Sequence, residues 1–210
     1  MDFENIAQSV IKGDMDGAAA LTQKALEGGA DPQQILDLGL IAAMDVVGEK
    51  FAQGAMFVPQ MLRSAKTMQH CVALLKPHFK GAGIKTKGKI ILGTVKGDLH
   101  DIGKNLVAMM LEGAGFQIVD LGVDVSPESF VSAVSTEQGQ IIGMSALLST
   151  TMPAMAATIA ALQKAGKKGA VLTMIGGAPV TAEFATEIGA DCYAPDAGSA
   201  VAEAKRLLGL

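Results

Sequence analysis

The chain has 210 residues, half of them hydrophobic but only 4% aromatic, with 25 Gly, 12 Met and a formal charge of −4. That length accommodates two small domains with aliphatic cores, and the acidic balance, with no Lys/Arg cluster, excludes a phosphate-binding stripe for nucleic acid. Cys71 and Cys192 follow no disulfide pattern, and the acidic start Met-Asp-Phe-Glu carries no secretory apolar core. The uncharged stretch 138–163 is interrupted by Gly143, Ser145, Ser149, Thr150, Thr151 and Pro153, which favours strand, turn and helix over a membrane span. A cytoplasmic protein is expected, with neither nucleic acid nor membrane among its partners.

Phe3, Ile6 and Val10 make a short helical stripe, and Asp14 can cap a second helix that stops at Gly28-Gly29. Asp31-Pro32 is a cap followed by proline at the first helical position. Leu36, Leu40, Met44, Val47 and Phe51 then recur at spacings of three and four, predicting one continuous third helix. After a break at Gly54, Pro59 opens a fourth helix with Leu62, Ala65, Met68, Val72, Leu75 and Phe79 on one side. Four helices with short connections predict a bundle over residues 1–80. Residues 81–88 are Gly/Lys-rich and aperiodic, a linker; Lys85, Lys87 and Lys89, the densest basic run, read as solvated.

From residue 89 the period changes. Ile90–Val95, Gln117–Leu121, Ile141–Ser145, Val171–Ile175 and a short Cys192–Tyr193 read as strands. Helices alternate with them near Gly103–Glu112, Pro127–Val134, Pro153–Lys164, Ala182–Ile188 and Ala197–Leu208. Strand–helix alternation of this length predicts an α/β domain over 89–210, a doubly wound parallel sheet that binds ligands at the carboxyl ends of its strands.

Three motifs fall at those ends. The first is Asp98-x-His100-x-x-Gly103. A histidine two residues past an aspartate can be held as a neutral metal ligand, one ring nitrogen donating to the carboxylate and the other facing the metal. Gly103 lets the chain pass close to something bulky. The second is the hydroxyl-rich turn Ser145-Ala146-Leu147-Leu148-Ser149-Thr150-Thr151, for which helix capping is the other reading. The third is Gly176-Gly177. His70 and His78, on the fourth helix, have no partners at metal-ligand spacing.

The ordered triple resembles the corrinoid (cobalamin) binding domain. The whole chain resembles the corrinoid protein of a methyltransferase system, similar to the methylamine and methanol corrinoid proteins and to the cobalamin module of methionine synthase. The resemblance implies a helical cap followed by a Rossmann-like cobalamin domain. It places the cofactor loop over Asp98, His100, Asp101, Ile102 and Gly103. His100 would bind cobalt from below with the cofactor's own base displaced, and Asp98 would tune the ligand and share in proton uptake when the ligand lets go. Ser145 and Leu147 would flank the dimethylbenzimidazole tail, within a turn that includes Ser149. Thr151, where methionine synthase has a serine, would support the Asp–His pair, and Gly176 and Gly177 would run along the tail where side chains would collide. Gly122 fits the same crowding. Tyr193 has two readings, a rim contact or ordinary packing. Phe51 and Val58 likewise read as a cap over the cofactor's upper face or as bundle core.

The implied function is a methyl carrier that is no enzyme by itself. Cobalt(I) takes a methyl group from a substrate-specific corrinoid methyltransferase and passes it to a second methyltransferase with a thiol or folate-type acceptor, a reductive activase being a third partner. A cobalamin-dependent sensor is the alternative, but it needs an output module that residues 1–80 do not leave room for. An isomerase module leaves the bundle unexplained, and a receiver domain wants an aspartate where Ser145-Ala146 stands. A flavin carrier leaves the Asp–His pair idle.

Overall fold

The computed structural model describes residues 3–79 and 83–210, so Gly81 and Ala82 of the expected linker lie outside the described residues. The chain forms two compact units, one of residues 1–87 with 112–115 and one of 88–111 with 116–210. Among the described residues no helix is long and apolar enough to cross a membrane.

In the first unit α1 (Phe3–Lys12) buries Ile6 and Val10. Asp14 caps α2 (Met15–Glu27) by accepting from the Gly17 amide at 3.1 Å. The predicted third helix is continuous from Pro32 to Ala52 but changes its winding twice. A single turn, α3 (Pro32–Gln34), capped by Asp31, widens into a π-helix over Ile35–Ile41, and α4 (Ala42–Ala52) resumes the regular pitch. The Ala42 amide closes the wide stretch by donating to the Asp37 carbonyl, five residues back. The cause lies in the pairs Ile35-Leu36 and Leu40-Ile41. At about 100° per residue an α-helix would spread these four residues over roughly 240° of its circumference, wider than one core-facing stripe. The wider turn buries both pairs together with Gly39.

Helix α5 (Val58–Leu75) starts one residue before Pro59, its first turn fastened by Gln60 Oε1 accepting from the Phe57 amide at 3.0 Å. It ends earlier than its apolar stripe suggests. Pro77 supplies no amide, the chain tightens into a 3₁₀ turn at Lys76–His78, and Phe79 lies beyond the helix with His78 in the turn. Ile6, Val10, Leu36, Leu40, Met44, Val47, Met61, Met68 and Leu75 fill the core of this unit. Residues 83–88 adopt no helix or strand, yet they are not a free linker: Lys85 and Gln33 exchange hydrogen bonds, and the Lys87 amide donates to the Gly115 carbonyl at 2.9 Å.

The second unit holds five parallel strands, β1 (Lys89–Thr94), β2 (Gln117–Asp120), β3 (Ile141–Ser145), β4 (Leu172–Gly176) and β5 (Cys192–Tyr193), in the order β2-β1-β3-β4-β5. Between and after them run α6 (Ile102–Gly113), α7 (Pro127–Glu137), α8 (Pro153–Lys164), α9 (Ala182–Ile188) and α10 (Ala197–Leu208). A sheet wrapped on both faces needs strands apolar on both sides; Ile90 to Leu92 and Ile141, Ile142 and Met144 are buried accordingly. The core gathers Ile91, Phe130, Ile142, Met155, Ile159, Leu162 and Ile175. The order reverses between β1 and β3, so the loops leaving their carboxyl ends diverge and open a crevice, the place where such sheets take ligands.

Candidate functional site

The crevice is built from the end of β1. Thr94 pairs in register with Ser145 of β3, and the chain then turns, the Asp98 amide donating to the Val95 carbonyl at 3.1 Å with Gly97 left-handed at φ +84°. The turn aims the Asp98 carboxylate inward, where it is fully buried. Oδ1 accepts from the His100 amide at 3.1 Å and contacts His100 Nδ1 at 2.7 Å. Oδ2 accepts from the Leu147 amide at 2.8 Å, the Leu148 amide at 3.3 Å and the Thr151 hydroxyl at 2.7 Å. Burial alone would raise this carboxyl's pKa. The donations from Thr151, the His100 ring and amide, and the Leu147 amide outweigh it and hold Asp98 well below the usual carboxylate range.

An ionised Asp98 at Nδ1 fixes the ring proton there and leaves Nε2 with its lone pair. The imidazole side chain is 51% exposed, and its backbone is fastened separately, the buried Thr94 hydroxyl donating to the His100 carbonyl at 2.8 Å. Around it stand apolar side chains turned to solvent, Leu99 (72% exposed) and Ile102 (78%), with Val123, Leu147 and Leu148 less so. Asp101 is exposed; its carbonyl accepts from the Asn105 amide as α6 begins. Nothing lies within 4 Å of where a Cβ on Gly103 would be.

Thr151 therefore serves Asp98 rather than capping α8, whose first turn follows Met152 without a side-chain cap. Ser145 ends β3 half-buried, and its hydroxyl bonds to no described residue; Ser149 is exposed. The Gly176 carbonyl accepts from the Ala146 amide at 3.2 Å, tying the third loop to the second. Tyr193 is half-buried and packs on the core of the sheet unit. In the helical unit Phe51 is half-buried near the end of α4 and Val58, opening α5, is 37% exposed.

Three further groups were not legible from the motifs. Lys104 is buried on α6, donating to Asn105 Oδ1 at 2.8 Å and paired with Asp120 at the end of β2. Leu99 and Val123 extend the apolar rim. Asp124 reaches the turn of Gly97 and Asp98. The signal available for Asp124 was an acidic residue directly after Gly122-Val123, where a strand end meets a turn.

Among the described residues no three His, Cys, Asp or Glu side chains are grouped to cage an ion. A metal at His100 would then bring its own equatorial ligands, as a tetrapyrrole-type macrocycle does, and exposed apolar side chains in the same loops as a half-exposed imidazole fit that chemistry.

Comparison with known proteins agrees. The B12 binding domain family matches residues 88–205, and a second B12 binding domain family matches residues 2–76. Trimethylamine corrinoid protein 2 of Methanosarcina mazei is 42% identical over 202 residues, covering 95% of this chain and 93% of that one. The crystal structure of the methanol:cobalamin methyltransferase complex from Methanosarcina barkeri contains a chain that superposes with a TM-score of 0.89 at 32% identity, covering 99% of this chain and 79% of that one. A cobalamin-binding protein from Desulfitobacterium hafniense superposes at 0.84 with 30% identity, covering 99% and 98%. With a helical cap, a doubly wound sheet and the Asp98–His100 loop at its switch point, this chain belongs to the cobalamin-binding corrinoid proteins of methyltransferase systems.

Proposed function

We propose that the chain is a cytoplasmic methyl carrier, holding a corrinoid with its own base displaced and His100 Nε2 as the lower axial ligand. A substrate-specific corrinoid methyltransferase loads it, a second methyltransferase with a thiol or folate-type acceptor unloads it, and a reductive activase restores it. Bound corrinoid supplies a cobalt centre that can accept a methyl group and give it up; the protein orients it and controls the axial position. The observation that carries this reading is the Asp98–His100 pair, with Nδ1 engaged at 2.7 Å and Nε2 bonded to no described residue on a half-exposed ring. Asp98 holds the ring proton at Nδ1, which assigns the ligand role to Nε2, and Thr151 with the Leu147 amide keeps Asp98 ionised and in place. Asp101, Ile102 and Gly103 would lie beside the macrocycle, while Ser145, Leu147, Ser149, Gly176, Gly177 and Tyr193 would follow the displaced tail. Phe51 and Val58 would shield the upper face and withdraw when a partner enzyme docks. The helical cap over 1–80 and the cofactor domain over 89–210 would move about the segment 81–88.

The test is electron paramagnetic resonance of the cobalt(II) form with nitrogen-labelled histidine. Hyperfine splitting that changes with the label and vanishes in His100→Ala is the expected result; a signal insensitive to the label overturns the axial assignment. The relatives named for methylated amines and methanol make the methyltransferases for those substrates the first partners to assay.

A further inference from the structure

We infer that Asp124 is a positioning residue for the axial-ligand loop, gripping the turn before His100 from the side opposite Thr151. The inference rests on the reading of His100 as the ligand. Asp124 is one of two residues other than glycine in the described chain with positive φ, at +53°. In that conformation a single residue presents both its amide and its carboxylate to the same neighbour. The Asp124 amide donates to the Asp98 carbonyl at 3.0 Å, and Asp124 Oδ1 accepts from the Gly97 amide at 2.7 Å. The flanking backbone continues the pairing of β1 with the loop after β2: the Thr94 amide donates to the Gly122 carbonyl, and the Val125 amide to the Thr94 carbonyl, both at 2.9 Å.

Asp98 is thus held twice. Its carboxylate is fixed by the loop after β3, and its main chain by the loop after β2. Without the second hold, Gly97, left-handed and exposed, leaves the turn free to swing, and the carboxylate loses its alignment on Nδ1. Aspartate and asparagine tolerate the left-handed region because their short polar side chains bond locally. Glycine tolerates it too but brings no acceptor, which gives the means to separate backbone from side chain.

The experiment compares Asp124→Asn and Asp124→Gly in the full chain. Nitrogen NMR of the cofactor-free protein reads the His100 tautomer; electron paramagnetic resonance of the cob(II)alamin-loaded protein reads the axial nitrogen. Asp124→Asn is expected to keep the Nδ1–H tautomer. Asp124→Gly is expected to raise the Nε2–H share, to lower the histidine-ligated fraction and to weaken cobalamin binding about five- to tenfold, the factor set by one hydrogen bond. Wild-type tautomer and wild-type axial signal in Asp124→Gly overturn the inference, whatever happens to the melting temperature. If the wild type itself shows no axial histidine nitrogen, the functional reading fails, and the tautomer measurement still decides the part played by Asp124.

Discussion

From the sequence, Gly177 after β4 and Gly103 in the first turn of α6 share one explanation, room for a bulky ligand, and the structure separates them. Gly177 has φ +133°, and an added Cβ would overlap the Ala146 carbonyl oxygen; a Cβ on its neighbour Gly176 would lie 2.7 Å from the Ala194 carbonyl oxygen. Main chain meets main chain there, so both glycines are required with or without a cofactor. Gly103 has ordinary helical backbone and nothing within 4 Å of its would-be Cβ. In a helix interior glycine costs about 1 kcal/mol relative to alanine, and in this first turn somewhat less. Gly177 is thus explained by the fold, whereas at Gly103 neither crowding nor a positive φ calls for glycine.

The largest effect should come from Gly177→Ala, which combines overpacking with a forbidden backbone angle, roughly 2–5 kcal/mol of lost stability. Urea unfolding of the cofactor-free protein measures it, and a loss under about 1 kcal/mol would break the contrast with Gly103. Next is Asp98→Asn, which turns an amide N–H toward existing donors and should cost about 1.5–3 kcal/mol. Because the folded-state pKa of Asp98 is depressed, its contribution is fully present above the ordinary aspartate value of 3.8 and is lost as pH falls below it. Wild-type unfolding midpoints should therefore drop more steeply than those of Asp98→Asn as pH is lowered from 5 toward 3, and parallel curves would deny Asp98 that role.

Phe51→Ala places a third residue on the same scale. A fully buried ring would cost about 3–5 kcal/mol; the half-buried Phe51 should cost about 1–2 kcal/mol and speed the photolysis of bound methylcobalamin. Severe destabilisation with unchanged photolysis assigns it to the bundle core instead. The smallest and opposite change is expected for Gly103→Ala, a gain of about 0.5–1 kcal/mol in the cofactor-free protein accompanied by weaker cobalamin binding. Tighter or unaltered binding there removes Gly103 from the site.

Most of the sheet unit was legible because its signals are local. The bounds of Ile141–Ser145, Pro153–Lys164 and Ala182–Ile188 follow from apolar runs, a proline at a helix start and a glycine at a helix end. The Asp98–His100 contact spans two residues, so spacing alone suggests it. Thr151 lies 53 positions from Asp98, and only the family resemblance reached it. Asp124 and the Lys104–Asp120 pair became visible only once β2 was placed beside β1, since neither carries a spacing signal. In the helical unit the stripe from Leu36 to Phe51 concealed the π stretch, because a three-and-four pattern does not register the extra residue that the pairs at 35–36 and 40–41 demand.

That extra residue also sets a rotational phase. Each residue of an α-helix turns the next by about 100°. A wide turn takes one more residue for the same sweep, so Ile35–Ile41 covers about the rotation of an α-helical run one residue shorter. Deleting one residue there would let the segment close as ordinary α-helix with Met44, Val47 and Phe51 keeping their faces, whereas winding the whole stretch as α-helix would carry every side chain after it, through the end of α4, about 100° out of step. The winding of this stretch is therefore as much a determinant of which way Phe51 faces as the identity of any residue beside it.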